Sequence, residues 1–445
     1  KSSELDKLGL ANRKRAYHKL RVDADLRAGA ALSVRLLERS KDIQGDLMDA
    51  SSVEEVLLMV EEQGEVFNKV NTSTALHRIA KIATAVPDAN AGAKQQSPDA
   101  VLSMARDDRF RHLLQMATLF CKEMSVVSIS NVLWALARLR CDLDEIDMLV
   151  GDLAGRAAAT VHNAQPKHLA TVVWAFAVLG HEPRSRLLRA IAIRVMDTAD
   201  DFRAPDVVNM LWAYARWTRL APLNSPHGLP GAKDVVKELS RVALANLADF
   251  TPYQCANLAW SLAILDADVL PRSLASILDR AASDPDGLDD TALTHTIWAI
   301  GVKGTEIDGA GGSFQTLLAE AAKRALDRGV GRTGAAGVLW ACGRLRVTPR
   351  EGQAGALLDC LLTVEEEGEP RGKNLQPQPL VHGLWGICQM EGVTLGQKHR
   401  DAVFSHASRL VEAGEMEARH ADALRASAVG AGLDPLEMDH ALTVR

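Results

Sequence analysis

"NVLWALARL" (Asn131–Leu139) reads as buried helix, and the same phrase returns as "TVVWAFAVL" (Thr171–Leu179), "NMLWAYARW" (Asn209–Trp217) and "NLAWSLAIL" (Asn257–Leu265). Tryptophan stands at 134, 174, 212, 260, 298, 340 and 385, with intervals of 40, 38, 48, 38, 42 and 45 residues; of eight tryptophans only Trp217 is out of register. A period of this size means stacked supersecondary units. Two degenerate units extend the array, "TALHRIAKI" with His77 at the Trp position and "DALRASAVG" with Arg425 there. Atypical end units are expected, because one of their faces meets water instead of a repeat.

Each unit reads as two helices. In the Trp helix the residue before Trp is apolar, and the residue three after it is small: Ala137, Ala177, Ala215, Ala263, Gly301, Gly343 and Cys388. Small side chains there let neighbouring helices approach closely. Partner helices follow in "RSRLLRAIAIRVMDTA", "AKDVVKELSRVALANLA", "PRSLASILDRAAS", "FQTLLAEAAKRAL" and "KHRDAVFSHASRLVEAG", each with one apolar stripe at three- and four-residue steps. Prolines 166, 183, 205, 252, 271, 349 and 377 punctuate the elements, and period-two strand patterns are absent. Three long segments, 87–100, 221–231 and 365–379, stretch the intervals and are expected to be exposed loops. The fold expected is all-α: a right-handed superhelical solenoid of about nine two-helix repeats over 70–432, with an N-terminal helical extension over 1–69 and a C-terminal tail over 433–445.

Composition agrees with thin helical layers. Hydrophobic residues make up 47% and aromatics only 4%, and the net charge is -6. That balance argues against indiscriminate adhesion to phosphate backbones and leaves room for a local basic stripe. Residues 1–50 are the basic end, with eleven Lys/Arg against eight Asp/Glu. The densest stretch, "NRKRAYHKLR" (12–21), gathers Arg13, Lys14, Arg15, Lys19 and Arg21. It reads as a solvated helix face, or as a dock for rRNA or an acidic protein groove. Six cysteines without a CxxC pair read as small buried thiols of a reducing compartment, and neither a metal site nor a disulfide framework is expected. No apolar run approaches the length of a membrane span, and the start lacks a secretory signal. The chain begins at Lys1, which leaves room for a removed targeting segment.

The phrase, its period, and entries into it such as "FTPYQCANLAWSLAIL" (250–265), "QPKHLATVVWAFAVLG" (165–180) and "NTSTALHRIAKIA" (71–83) resemble the octotricopeptide repeat proteins. The resemblance covers roughly residues 70 to 432. It implies helical-hairpin solenoids of mitochondria and chloroplasts that bind organellar RNA and support its stability, processing, translation or ribosome assembly. Related arrays carrying a nuclease-like RAP domain at the C-terminus are not matched, since the tail "DPLEMDHALTVR" lacks that pattern.

Two columns flank the tryptophans. Three residues before stand Asn131, Thr171, Asn209, Asn257, His295, Gly337 and His382; four after stand Arg138, Val178, Arg216, Ile264, Val302, Arg344 and Gln389. Seven residues is close to two helical turns, so both columns share one face. Along a concave face they would read base edges and phosphates; alternatively they form a ladder that bonds adjacent repeats to each other. For the tryptophan itself, the apolar residues around it favour a buried wedge between helix pairs over a platform for RNA bases.

Chemistry is otherwise missing. "GVGRTG" (329–334) has the GxGxxG pattern without the strand that a dinucleotide site needs, and reads as an inter-helix turn. His399 and His406 share a helix with no third ligand nearby. No catalytic set stands out, and no cofactor or small-molecule substrate is expected. The function expected is that of a non-enzymatic organellar RNA-binding protein with neighbouring proteins of a ribonucleoprotein complex as partners. Its leading version is a mitochondrial ribosome subunit or assembly factor holding an rRNA segment, with the plastid as the other organelle. A protein–protein scaffold of a large organellar complex is the alternative.

Overall fold

A computed structural model describes residues 29–84, 104, 106–140, 144–181, 185–218, 229–266, 271–304, 311–350, 352–362 and 375–443. The basic stretch 12–21 and the loop 87–100 lie outside the described residues, as do most of 221–231 and 365–379. Every regular element among the described residues is a helix.

The chain divides into two compact units, Lys1–Phe202 with Leu229–Ala232, and Arg203–Gly228 with Lys233–Arg445. The first contains α1 (Gly29–Asp49), α2 (Val53–Gln63), α3 (Lys69–Ala83), α4 (Asp108–Phe120), α5 (Val126–Leu139), α6 (Asp144–Thr160), α7 (Pro166–Leu179) and α8 (Ser185–Thr198). The second contains α9 (Ala204–Thr218), most of α10 (Ala232–Ala245), α11 (Pro252–Ile264), α12 (Pro271–Ala281), α13 (Asp290–Lys303) and α14 (Gly311–Asp327). It continues with α15 (Arg332–Leu345), α16 (Gln353–Leu362), α17 (Pro377–Cys388), α18 (Gln397–Glu412), α19 (Ala418–Ala428) and α20 (Pro435–Ala441).

The odd-numbered helices from α3 to α19 carry the repeat phrase, and within each unit every such helix packs on the next. Their partner helices pack beside them, α4 to α6 to α8 in the first unit and α12 to α14 to α16 to α18 in the second. This is the repeat arrangement read from the tryptophan period, built as an all-α solenoid pattern. The starts of the Trp helices are fixed locally. Ser125, Thr251 and Asp289 cap backbone N–H groups at the starts of α5, α11 and α13, and Pro166, Pro252 and Pro377 occupy first turns, where no N–H is needed. Of the 329–334 segment, 329–331 is the turn between α14 and α15, with Gly329 and Gly331 at positive φ, and 332–334 opens α15.

Both ends continue the pattern. Helix α1 stacks on α3, where the Ser40 hydroxyl donates to Asn71 Oδ1 at 2.9 Å and Gln44 Nε2 donates to Thr74 Oγ1 at 2.8 Å. At the other end, the stretch read as a tail contains α20, whose buried Met438 seats it on α18 and α19.

The close approach of Trp helices has a reciprocal cause. A small residue three after Trp meets a small residue one after Trp in the next repeat: a β-carbon on Gly301 would stand 2.8 Å from the Ala341 Cβ, and one on Gly343 2.5 Å from the Gly386 carbonyl oxygen. The second small column, Ala135, Ala175, Ala213, Ser261, Ala299, Ala341 and Gly386, is buried throughout.

A third repeating device holds five of the helix pairs. Arg156 Nε donates to the Met124 carbonyl at 2.9 Å, Arg194 Nε to Ala164 at 3.0 Å, Arg324 Nη1 to Leu288 at 2.8 Å and Arg409 Nη2 to Leu375 at 3.3 Å, and Arg280 Nε makes the same bond to Phe250. Each acceptor lies ten residues before a register tryptophan, is buried, and precedes the Trp helix by two residues. The arginine on the partner helix thereby satisfies a carbonyl that no helix bond reaches.

Candidate nucleic-acid interface

Six of the seven register tryptophans are not fully buried. Trp134, Trp174, Trp212, Trp298, Trp340 and Trp385 are half-buried, and only Trp260 is enclosed, at 6% exposure. The fully enclosed indole is Trp217, the one out of register, at 3%. The buried-wedge reading is therefore corrected in its burial: indoles meet from repeat to repeat in the second unit, but six of the seven keep an open edge. Helix geometry gives the reason. A Trp helix is packed between two neighbours and a partner helix, so its buried arc covers most of the circumference. Positions seven before, three before and four after Trp fall within about 60° of it at 100° per residue, and together they form the narrow strip left outside.

What occupies that strip is chemically uniform. Seven before Trp stand Val127, Lys167, Pro205, Tyr253, Thr291, Thr333 and Gln378, all exposed. With the two flanking columns and the tryptophans themselves, these four positions across seven helices include no aspartate or glutamate, in a chain that has 57 of them. They include Arg138, Lys167, Arg216 and Arg344.

Arg138, Arg216 and Arg344 are exposed. The Arg138 guanidinium lies 5.9 Å from the Trp134 ring centre and also donates to Thr84 Oγ1 at 3.0 Å and to the Thr84 carbonyl at 3.1 Å. Arg216 lies 5.2 Å from the Trp212 ring centre. Such cation–π placement orients the charge without neutralising it. Among the described residues Arg216 and Arg344 have no acidic partner, and Gln389 is half-buried beside Cys388.

In the column three before Trp, Asn131, Thr171, Asn209, Asn257, His295 and His382 are all half-buried. The bonds Thr171 and Asn257 make run back along their own helices, to Lys167 and Tyr253 carbonyls at 2.7 and 3.2 Å. Among the described residues the side chains of Asn131 and Asn209 have no hydrogen-bond partner. These asparagines and the threonine do not form rungs between repeats. The two histidines do reach the previous repeat, through their rings. His295 stacks on Trp260 at 5.1 Å with planes 13° apart, and His382 lies 6.2 Å from Trp340. Trp340 also contacts Trp298 at 6.0 Å and Trp385 at 6.1 Å, and in the first unit His77 lies 4.6 Å from Trp134. Burial first, and the positive charge of Lys81 and Arg78 for His77, hold both His77 and His382 below the ordinary imidazole range, so these rings stack as neutral aromatics.

Several other titratable groups are held in contacts within the fold. His406 is buried against the Leu362 carbonyl and His399 pairs with Asp359. Burial pushes the thiols of Cys121 and Cys255 up to about 11 and that of Cys342 to about 12, so they stay protonated. Arg324, Glu320, Asp290 and Arg328 form an ion-pair network at one end of α14. No helix among the described residues is long and apolar enough to cross a membrane.

Sequence reasoning found the two columns but missed the exposure of the indoles, the second small column and the arginine clamps. The small column was visible as an unbroken run of Ala, Ser and Gly. The clamps were not, because their arginines stand 20 to 26 residues after Trp with no fixed spacing.

No family model matches the sequence. The chain is 25% identical over 277 residues to a RAP domain-containing chloroplastic protein of Oryza sativa subsp. japonica. The match covers 54% of this chain and 41% of that protein, so the chain spans less than half the length of the relative.

Proposed function

We propose that this chain is a non-catalytic organellar RNA-binding protein whose Trp-helix face holds single-stranded RNA. The observation that carries the reading is the acid-free strip of tryptophan, asparagine, histidine and arginine in a chain of net charge -6. Exposed indole and imidazole rims accept unpaired bases, the unbonded amides of Asn131 and Asn209 face base edges, and Arg216 and Arg344 face phosphates. The resemblance of the repeat phrase to organellar RNA-binding arrays, and the RAP-domain name of the chloroplastic relative, support the same reading. The relative's chloroplast assignment favours the plastid over the mitochondrion.

An rRNA segment, in an organellar ribosome or during its assembly, is the RNA we place first. The test is purification of the protein from its organelle with and without nuclease, with sequencing of the bound RNA. Enrichment of one organellar RNA segment supports the reading. Recovery of the same protein partners after nuclease, with no enriched RNA, replaces it with the protein–protein scaffold that the overall acidity would suit.

A further inference from the structure

In the second unit, two side chains of the column three before Trp lie over the indole of the preceding repeat. His295 covers Trp260 as a near-parallel ring, and His382 lies against Trp340. Between these two repeats the position is Gly337. A β-carbon placed there would stand 3.9 Å from Trp298 Cδ1 and 4.0 Å from its Cβ, so the place is over Trp298, and only ordinary contacts surround it. Trp298 stacks with Trp340 at 6.0 Å with planes 28° apart, as Trp340 in turn meets Trp385 while also holding His382, but Trp298 has no ring from the column three before Trp. The neighbours show that this place accepts a flat aromatic ring; Gly337 leaves it without one.

Resting on the RNA reading, we propose that the Gly337 notch is a nucleobase subsite. An unpaired base of a bound strand takes over Trp298 the place that the imidazole of His295 takes over Trp260. The occupant is a base and not an apolar side chain for two reasons. The strip beside the notch has Thr291, Thr333, His295 and Arg344 and no acid, which suits a polyanionic strand. The ring that fills the equivalent place one repeat earlier is a planar nitrogen heterocycle stacked at 13°. Stacking of this kind recognises that a base is present and unpaired with little regard to which base it is, so this repeat tolerates all four bases.

The experiment titrates the full chain with fluorescein-labelled single-stranded adenine and uracil 20-mers, the matching duplex, and a free mononucleotide as competitor. Gly337→His fills the notch as its neighbours are filled and weakens single-strand binding by about 5- to 100-fold, the worth of one stacked base. Gly337→Ala leaves the ring accessible and stays within about twofold. Crosslinking of wild-type protein to 4-thiouridine RNA, mapped by mass spectrometry, places an adduct in α13 or α15, which tests the notch without any variant. The subsite is overturned if Gly337→His binds as wild type, if adducts fall only elsewhere, or if the free mononucleotide displaces the strand. If neither single strand binds the wild-type chain, the RNA reading itself fails and the subsite with it. If the strands bind and lose affinity on Arg344→Ala but not on Gly337→His, only the subsite fails.

Discussion

Gly343 and Gly386 face each other across α15 and α17 so closely that a β-carbon on Gly343 would stand 2.5 Å from the Gly386 carbonyl oxygen, while one on Gly386 would run into the Leu339 carbonyl. The obstacles are backbone atoms of packed helices, which cannot swing aside as a side-chain tip can. Gly343→Ala and Gly386→Ala are therefore expected to destabilise the second unit by about 1–3 kcal/mol each. Gly337→Ala, where the β-carbon meets only ordinary contacts with Trp298 and Ala is the better helix former, is expected to be neutral or to stabilise by up to about 1 kcal/mol. Urea unfolding of the three variants separates the cases.

The clamp from Arg194 to the Ala164 carbonyl joins α8 to the entry of α7. Arg194→Ala leaves that buried carbonyl unsatisfied and is expected to cost about 1–3 kcal/mol. Arg203→Ala, at an exposed position with no clamp, serves as the control and is expected to fall within about 0.5 kcal/mol. Hydrogen exchange should show the loss as faster opening of the α7–α8 pair.

Stability should depend on pH in a defined window. His77, His168, His382 and His406 are all held below the ordinary 6.5, chiefly by burial. Above 6.5 they are neutral in both the folded and the unfolded chain and contribute no pH dependence. As pH falls below 6.5 the unfolded chain takes up protons first, so stability declines until the folded-state values are passed. Urea midpoints are expected to be flat between about pH 7 and about pH 8, to fall toward about pH 5, and to fall again above about pH 9 as the unfolded chain loses the protons that burial keeps on Cys121, Cys255 and Cys342; a midpoint that rises on acidification from about pH 7 would contradict the assignment.

How much of this was legible beforehand follows from what a single sequence records. The repeat was written in the tryptophan spacing, and the helix pairs in their three- and four-residue apolar steps. Gly329 and Gly331 were readable as a turn because no strand precedes them. The open edge of the indoles is not legible in the sequence because the residues one before and three after Trp are core, which places a register tryptophan such as Trp134 on the same arc. It lies at the edge of that arc, and only the stacking of neighbouring helices decides which edge is covered. Trp217, written one turn and a half later, was passed over as an outlier and is the enclosed one. The charge of the strip is masked by the net -6, since the acids of the chain stand at other positions and a sum over the whole sequence does not show which positions are exposed.

Arg216 and Arg344 are expected to act as phosphate contacts. Arg216→Ala and Arg344→Ala should each weaken binding to single-stranded RNA nearly equally across sequences and lower the salt slope by about 0.7. Arg138→Ala should cost stability as well, because that side chain also holds Thr84.

The central claim is that the exposed Trp-helix strip is a surface for single-stranded RNA. The most direct measurement is the affinity of the full chain for a single-stranded RNA against its duplex as a function of salt, repeated with Arg216 and Arg344 both changed to Glu. The account predicts preference for the single strand, affinity falling steeply with salt, and loss of at least about tenfold in the double variant. Equal binding of both forms, or a double variant that binds as wild type, would contradict it.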